Sequence, residues 1–425
     1  MFCILFLLYY LCSMFIVKKQ ISENIVALML LLLTACSQQV EQHRVVLCIP
    51  VYGQSLALGE EAERLTDFDS LAAYADGRIV TENLDHHFGY FDNDGLKQWV
   101  KKTIGYKKRA YELSVYKMAQ VLADHLGKDT LICIFPGGQG ATAIAGLSKG
   151  AAPYQRFIEN IKTAYETAQK KGWDFTVPAI CWMQGESDIV DYPSTCYRDM
   201  LTQIWKDMND DILQITHQKD SIPFICYQSN SLSRAEHFKS PNYICRETEV
   251  PQTFVELLQD NPYFWASGPT YPYPCVNEKI HIDANGQQAI GLLAARSVLG
   301  ILQGSKRYRG LIPTKLESHK DTVIIHFNTS SPLLLDTIQV SKAAHYGFSI
   351  VSKDNKDITK DVTIEGTCAK ITCSTPPTDC KVRYAVNGDY MKSGNHHGPR
   401  GNLRDAQSNW CYQFDTPLRQ SRLLP

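Results

Sequence analysis

The stretch Arg44–Ala57, RVVLCIPVYGQSLA, decides how this chain folds. Its apolar residues run on without alternation, the pattern of a strand covered on both faces, as in a parallel sheet. The run stops at Gly53-Gln54-Ser55, where a glycine-bearing turn begins. A serine at such a break has an exposed hydroxyl and a free backbone N–H. A nucleophile needs this placement, because its own N–H can help hold an oxyanion. The run is not the G-x-S-x-G elbow, since Ala57 stands at the fifth position. The tripeptide is a weak motif alone and draws its meaning from other segments.

Four more apolar runs follow: TLICIFP from Thr130, VPAICWMQ from Val177, IPFICYQS from Ile222 and YFWASG from Tyr263. Between and after them lie amphipathic helical patterns: ELSVYKMAQVLADHL, YQRFIENIKTAYETAQKK, YRDMLTQIWKDM and NGQQAIGLLAARSVLG. Alternating strands and helices predict an α/β fold with a doubly wound, mostly parallel sheet flanked by helices. Ligands on such sheets gather at the carboxyl ends of the strands. Ser55, Gly140, Gln184 and His281 all fall just past strand ends or in the loops beyond. From about Tyr308 the pattern shifts to short strands between polar turns, among them TVIIHFN, GFSIVS, VTIEGT and KVRYAV. The chain therefore divides into a leader over 1–36, an α/β domain over 43–305 and a small β module over 306–425.

The chain has 425 residues and a formal net charge of −1, so no basic stripe argues for nucleic acid. Met1–Val17 is apolar, Lys18 and Lys19 follow, and then IVALMLLLLTACSQQ. A basic pair, a short apolar run and small residues read as a secretory signal. Each apolar run is shorter than the ~20 residues of a membrane span. Leu33-Thr34-Ala35-Cys36 resembles a bacterial lipobox, which implies lipidation of Cys36 and a membrane held by that anchor alone. The expected location is the periplasm or outer membrane. The 14 cysteines show neither a CxxC pair nor zinc spacing, and no metal or organic cofactor is expected. Cys368, Cys373 and Cys380 are close enough in sequence to pair in an oxidising compartment. Cys133, Cys181 and Cys226, inside apolar runs, read as buried thiols.

Four segments together can perform acyl transfer. Ser55 is the candidate nucleophile and His281 the candidate base. A serine hydroxyl becomes nucleophilic only when a base takes its proton, and the base works best when a carboxylate orients it. Two carboxylates compete for that role. Glu278 lies three residues before His281 and could reach its ring within one loop; Glu186 lies in the turn QGESD, after a different strand. Asp283 suits a helix N-cap. Candidate oxyanion donors are the N–H groups of Ser55 and Gly140 and the side-chain amide of Gln184. The glycine loop lacks the lysine and spacing of a phosphate-binding P-loop. His396 and His397 read as a solvated turn.

GQSLA, the GQGATAI loop, WMQGESD and the late histidine segment stand in the order found in the sialate O-acetylesterase and acetylxylan esterase group of SGNH-type hydrolases. The chain resembles that group over roughly His43 to Gln303 and more loosely in the tail, at KVRYAV and GPRGNLRD. The resemblance implies a flavodoxin-like SGNH fold and an acetylated carbohydrate substrate. It assigns Ser55 as nucleophile, His281 as base, and Gly140 with Gln184 as oxyanion donors. Two positions depart from the group. Glu278 replaces an aspartate three residues before the histidine, and Gly140-Ala141-Thr142 replaces GGT. These departures, with the aromatics of Tyr271–Pro274, keep a second reading open: a carbohydrate-binding surface lipoprotein without turnover.

Overall fold

The stretch that opens the domain forms two strands in line, β1 (Val45–Cys48) and β2 (Val51–Gly53). The break falls at Ile49-Pro50, because proline has no N–H to give a ladder. Hydrogen bonds carry the sheet across it: Ile49 N–H donates to Cys133 O (2.8 Å), Val51 N–H to Phe135 O (3.0 Å) and Cys181 N–H to Pro50 O (2.9 Å). This computed structural model describes residues 43–67, 70–71, 74–83, 87–90, 111–190, 196–229, 249–389, 392–418 and 422–423. Residues 1–36, read above as a leader ending at Cys36, lie outside the described residues.

Among the described residues, eight further strands belong to the α/β region: β3 (Ile79–Asn83), β4 (His87–Tyr90), β5 (Thr130–Cys133), β6 (Pro136–Gly138), β7 (Asp174–Thr176), β8 (Ile180–Met183), β9 (Phe224–Gln228) and β10 (Phe264–Pro269). Their order is β4-β3-β5-β1-β7 in one half and β10-β9-β8-β2-β6 in the other. Every pairing is parallel except β3 with β4. The helices are α1 (Ser114–His125), α2 (Ala152–Lys170), α3 (Glu186–Val190), α4 (Tyr197–Thr216), α5 (Glu249–Asp260) and α6 (Ala284–Leu302). Helix α1 packs on α6, and α2 packs on α4. The fold is thus the expected α/β sheet flanked by helices. Strands β3, β4 and β7 and helices α3 and α5 come in addition to the expected elements.

Two glycines set how closely the strands approach at the site. A Cβ on Gly53 would lie 1.9 Å from Met183 O, and one on Gly138 would lie 1.8 Å from Gly53 O. Only a residue without a side chain lets β2 sit between β6 and β8 at this depth.

The tail forms antiparallel sheets, the largest containing β11 (Pro313–His319), β12 (Thr322–Phe327), β13 (Thr359–Glu365) and β14 (Cys368–Cys373). Strands β12 and β14 alternate between buried and half-buried positions, as one-sided sheets do. Their apolar cluster also takes in Val255, Leu258, Ala266 and Tyr271 from the α/β region. Gln228 Nε2 donates to Gln413 O (2.8 Å), and Gln413 N–H returns a bond to Gln228 Oε1 (2.7 Å). The β module is therefore built onto the carboxyl end of β9, where ligands gather in such sheets. Cys368, Cys373 and Cys380 are thiols, so no pair forms among them. Cys133, Cys181 and Cys226 are buried in the core. Among the described residues, no helix is long and apolar enough to cross a membrane.

Candidate active site

Ser55 follows β2 in a tight turn. Ala57 N–H donates to Gln54 O (2.9 Å), Leu58 N–H to Ser55 O (3.1 Å) and Glu60 N–H to Ser55 O (2.9 Å). These short-range bonds coil the chain so that Glu61 comes back over the serine. The turn is pinned from two sides. Gln54 N–H donates to Met183 O (3.0 Å), and the buried Gln287 donates through Nε2 to Leu56 O (2.9 Å). Gln287 Oε1 also accepts from Ser114 N–H (3.1 Å), tying the nucleophile turn to the first turn of α1.

His281 stands on a loop between β10 and α6. Cys275 and Ile282 form an antiparallel bridge across the base of this loop. Val276 N–H donates to His281 O (2.8 Å), and Asp283 N–H donates to Pro274 O (2.9 Å). Asp283 then caps α6 by accepting from Gly286 N–H (2.7 Å). The closed loop presents the imidazole to the serine. His281 Nε2 lies 2.8 Å from Ser55 Oγ.

The other ring nitrogen faces a carboxylate that sequence reasoning missed. His281 Nδ1 lies 2.7 Å from Glu61 Oε2. The Glu61 side chain is 46% exposed and that of His281 16%. Neither expected carboxylate meets the ring. Glu278 has a positive φ of 55°, following Asn277 at 53°, and this double left-handed turn sends its side chain away from the imidazole. Its carboxylate instead pairs with Lys392 and lies 3.5 Å from His397 Nε2. The ammonium beside it holds the Glu278 carboxyl below the usual range. Ser393 N–H also donates to Glu278 O (2.9 Å), so the β module grips the histidine loop at this residue.

Glu186 is buried, and both its oxygens lie within reach of the Tyr227 hydroxyl (2.7 and 2.6 Å). Burial pushes its carboxyl pKa up, while hydrogen bonds from Tyr227 and Ser229 oppose the rise.

The expected oxyanion donors separate into two kinds. Among the described residues, the N–H groups of Ser55 and Gly140 meet no acceptor. Gln184 is different. Its Nε2 donates to Asp188 Oδ2 (2.5 Å) and Thr142 O (3.3 Å), and its Oε1 accepts from the Tyr197 hydroxyl (2.8 Å). Both amide protons are committed, and the side chain is fully buried. Asp188 Oδ2 also accepts from Ile144 N–H (2.8 Å). Gln184 and Asp188 therefore fasten the Gly140 loop beside Ser55. Ala141, at φ 51°, turns that loop.

Tyr271, one of the aromatics of the Tyr271–Pro274 loop, is buried. Its hydroxyl donates to Cys411 O (2.8 Å) and meets the Tyr384 hydroxyl at 3.1 Å. His396 bonds Ser341 Oγ (2.8 Å) and His397 bonds Asp389 (2.8 Å) on the surface. Among the described residues, no cluster of three His, Cys, Asp or Glu side chains is arranged to hold a metal.

Residues 114–300 match the family described as carbohydrate esterase, sialic acid-specific acetylesterase. The matched span includes Gly140, Gln184 and His281 and begins after Ser55 and Glu61. The chain aligns with a carbohydrate acetylesterase from Xanthomonas citri at a TM-score of 0.59 and 15% identity, over 87% of this chain and 80% of that one. An Arabidopsis thaliana protein aligns at 0.44 and 18% identity, over 60% of this chain and 98% of that one. NanS aligns at 0.42 and 13% identity, over 62% and 99%. No curated protein matches the sequence. The chain shares the fold of the Xanthomonas citri esterase, and the matched domain makes it a carboxylic ester hydrolase.

Proposed function

We propose, from the carbohydrate-esterase domain that residues 114–300 carry, that this chain removes O-acetyl groups from a glycan through a Ser55–His281–Glu61 relay and an acyl-enzyme. One observation carries the reading: a single imidazole bonds Ser55 Oγ at 2.8 Å and a carboxylate at 2.7 Å through its two nitrogens. The carboxylate accepts from Nδ1–H, and this assigns the tautomer that leaves Nε2 free to accept the serine proton.

Ser55 Oγ attacks the ester carbonyl carbon as its proton passes to His281 Nε2. The carbonyl electron pair moves onto oxygen, and that oxyanion is held by the Ser55 and Gly140 N–H groups. The tetrahedral intermediate collapses, the C–O bond to the sugar breaks, and Nε2–H protonates the departing alkoxide. Water then attacks the acetyl-serine, giving its proton to Nε2, and acetate leaves as Oγ regains a proton. Glu61 keeps the ring in register and offsets the positive charge that His281 gains in each transition state.

Acetate release from O-acetylated sialic acid and from acetylated xylan tests the reading. Ser55→Ala abolishes release if the reading is right, and retained release overturns it. The panel also identifies the sugar, since only the true substrate gives a high kcat/KM. We further propose that Cys36 is lipidated and that the enzyme works at the periplasmic or outer cell surface, where acetylated glycans are met. The LTAC sequence after a lysine pair and an apolar run supports this.

A further inference from the structure

A second cleft of about 720 Å³ lies where the distal half of α6 meets the β module. It is remote from Ser55: the helical rise puts Arg296 about 20 Å along the axis from the Asp283 cap. Its charge is unusual. Arg296, Lys306, Arg307 and Arg309 line it, against the single carboxylate of Asp405.

These cations are not neutralised by the protein. Arg296 donates to the neutral Asn409 Oδ1 (2.6 Å), and its guanidinium lies over the Tyr308 ring, 5.0 Å from the centroid. Arg307 donates to main-chain carbonyls, including Phe264 O (3.1 Å). Among the described residues, the half-buried Arg309 and the exposed Lys306 have no hydrogen-bond or ion-pair partner. Arg309 and Arg307 lie close enough to oppose each other's charge. Asp260, which also acts on Arg307, is already paired with Arg198 at 2.6 Å. Asp405 is used up as well. It accepts from Gln407 N–H, Asn409 N–H and Asn409 Nδ2, each within 2.9 Å, and from Thr329 Oγ1 at 3.2 Å. Fixed like charges kept together without a counter-charge cost stability unless an anion completes them.

The rest of the lining selects the kind of anion. Gln303, Ser305, Ser330 and Gln407 offer amides and hydroxyls, the groups that bond a polyol, and Trp265 and Tyr308 supply aromatic surface. We propose that this cleft is a second, non-catalytic binding site for a carboxylate-bearing saccharide, with Arg309 and Lys306 taking the carboxylate. The choice of a saccharide over other anions rests on the glycan-esterase reading. Such a site holds an acidic glycan while the distant Ser55 deacetylates another part of it.

Calorimetric binding of 3′-sialyllactose is measured in the Ser55→Ala background, with lactose and inorganic phosphate as controls. Any contribution of the catalytic cleft is then common to all variants. Adding Arg309→Glu lowers the affinity of the second site about tenfold or more, as expected for loss of a charge-assisted contact. Arg309→Gln, which removes the charge with little change of shape, gives a smaller loss in the same direction and guards against misfolding. Lactose does not bind at this site. Unchanged affinity in both Arg309 variants overturns the proposal. Phosphate binding as tight as that of sialyllactose, and competitive with it, overturns its saccharide part. In the Ser55 parent, Arg309→Glu leaves hydrolysis of 4-nitrophenyl acetate intact. Failure of the catalytic reading appears only in that assay and in the Ser55→Ala comparison, so the two failures are separable.

Discussion

Replacing Glu61 by glutamine tests the assignment that separates this site from its sequence-based expectation. The carboxylate lies 2.7 Å from His281 Nδ1, and its side chain is 46% exposed. Two unit charges about 4 Å apart interact by about 1 kcal/mol in bulk water and about 4 kcal/mol at the effective dielectric of a protein surface. Half-exposure puts Glu61 between these limits. A loss of about 2–3 kcal/mol from the transition state corresponds to a fall of about 30- to 200-fold in kcat/KM. A buried acid replaced by its amide costs more, about 10⁴-fold, because the amide forces the wrong histidine tautomer. Among the described residues, Glu61's only side-chain partner is His281. A glutamine there is free to turn its carbonyl oxygen to Nδ1–H and preserve the tautomer.

The assay is steady-state hydrolysis of 4-nitrophenyl acetate. The fall belongs in kcat rather than KM, because the imidazolium charge exists only after substrate has bound. Glu61→Ala is at least as damaging as Glu61→Gln. High salt narrows the gap between wild type and variant, since an exposed pair is screened. The reasoning is refuted if both Glu61 variants stay within about threefold of wild type while Glu278→Gln or Glu186→Gln falls by orders of magnitude.

Glu278→Gln and Lys392→Ala each loosen the grip of the β module on the histidine loop, and their effect on kcat/KM stays within about tenfold, because exposed ion pairs are weak; a larger fall in the same ester assay would return Glu278 to the relay. Glu186→Gln shows a pH-dependent gain in thermal stability. Because burial raises the native carboxyl pKa above its unfolded value, the native state holds the proton longer, and wild-type stability is full below the unfolded pKa and declines as pH rises through the native one. Melting temperatures therefore diverge in favour of the variant from pH 4 to pH 8, and parallel curves would count against a raised pKa. Cys36→Ala releases the protein from the membrane fraction into the soluble periplasm; continued retention on fractionation would point to a spanning anchor instead.

Ser55 and His281 were legible because the elements around them obey simple periodicities. Continuous apolar runs marked β1, β2, β5, β8 and β9, and the first residue after such a run is where a parallel sheet opens to ligands. Strand β3, IVTEN, has only two apolar residues in a row and β7, DFT, only one, so neither shows as an apolar run. Glu61 was missed for a different reason. The resembled group's acid position, three residues before the histidine, pointed to Glu278, but two consecutive left-handed residues at Asn277 and Glu278 turn that side chain outward. The usable signal was the acidic pair in GQSLALGEEAE, close behind the serine in a segment too rich in glycine and small residues for a strand. Gln184 lies beside the Gly140 loop, but its amide is held by protein partners and is not open to an oxyanion. Sequence shows that an amide is present but not that Asp188, Thr142 and Tyr197 already occupy it.

The origin of the acid changes what holds the site together. Ser55 and Glu61 share one turn, so a single local coil fixes the distance between nucleophile and carboxylate. The histidine is the separate piece, and its loop is fastened from outside. Tyr271 bonds Cys411 O, Ser393 N–H bonds Glu278 O, and Lys392 pairs with the Glu278 carboxylate. All three partners belong to the β module. Had Glu278 oriented the imidazole, base and acid would have moved as one loop, and the β module would have had no charged grip on it. With Glu61 in that place, Glu278 is released to anchor the loop. On the proposed relay, the tail is thereby coupled to the geometry of the site without supplying a group to it. Loosening the module should then degrade the Ser55–His281 contact before it disturbs the Ser55–Glu61 turn.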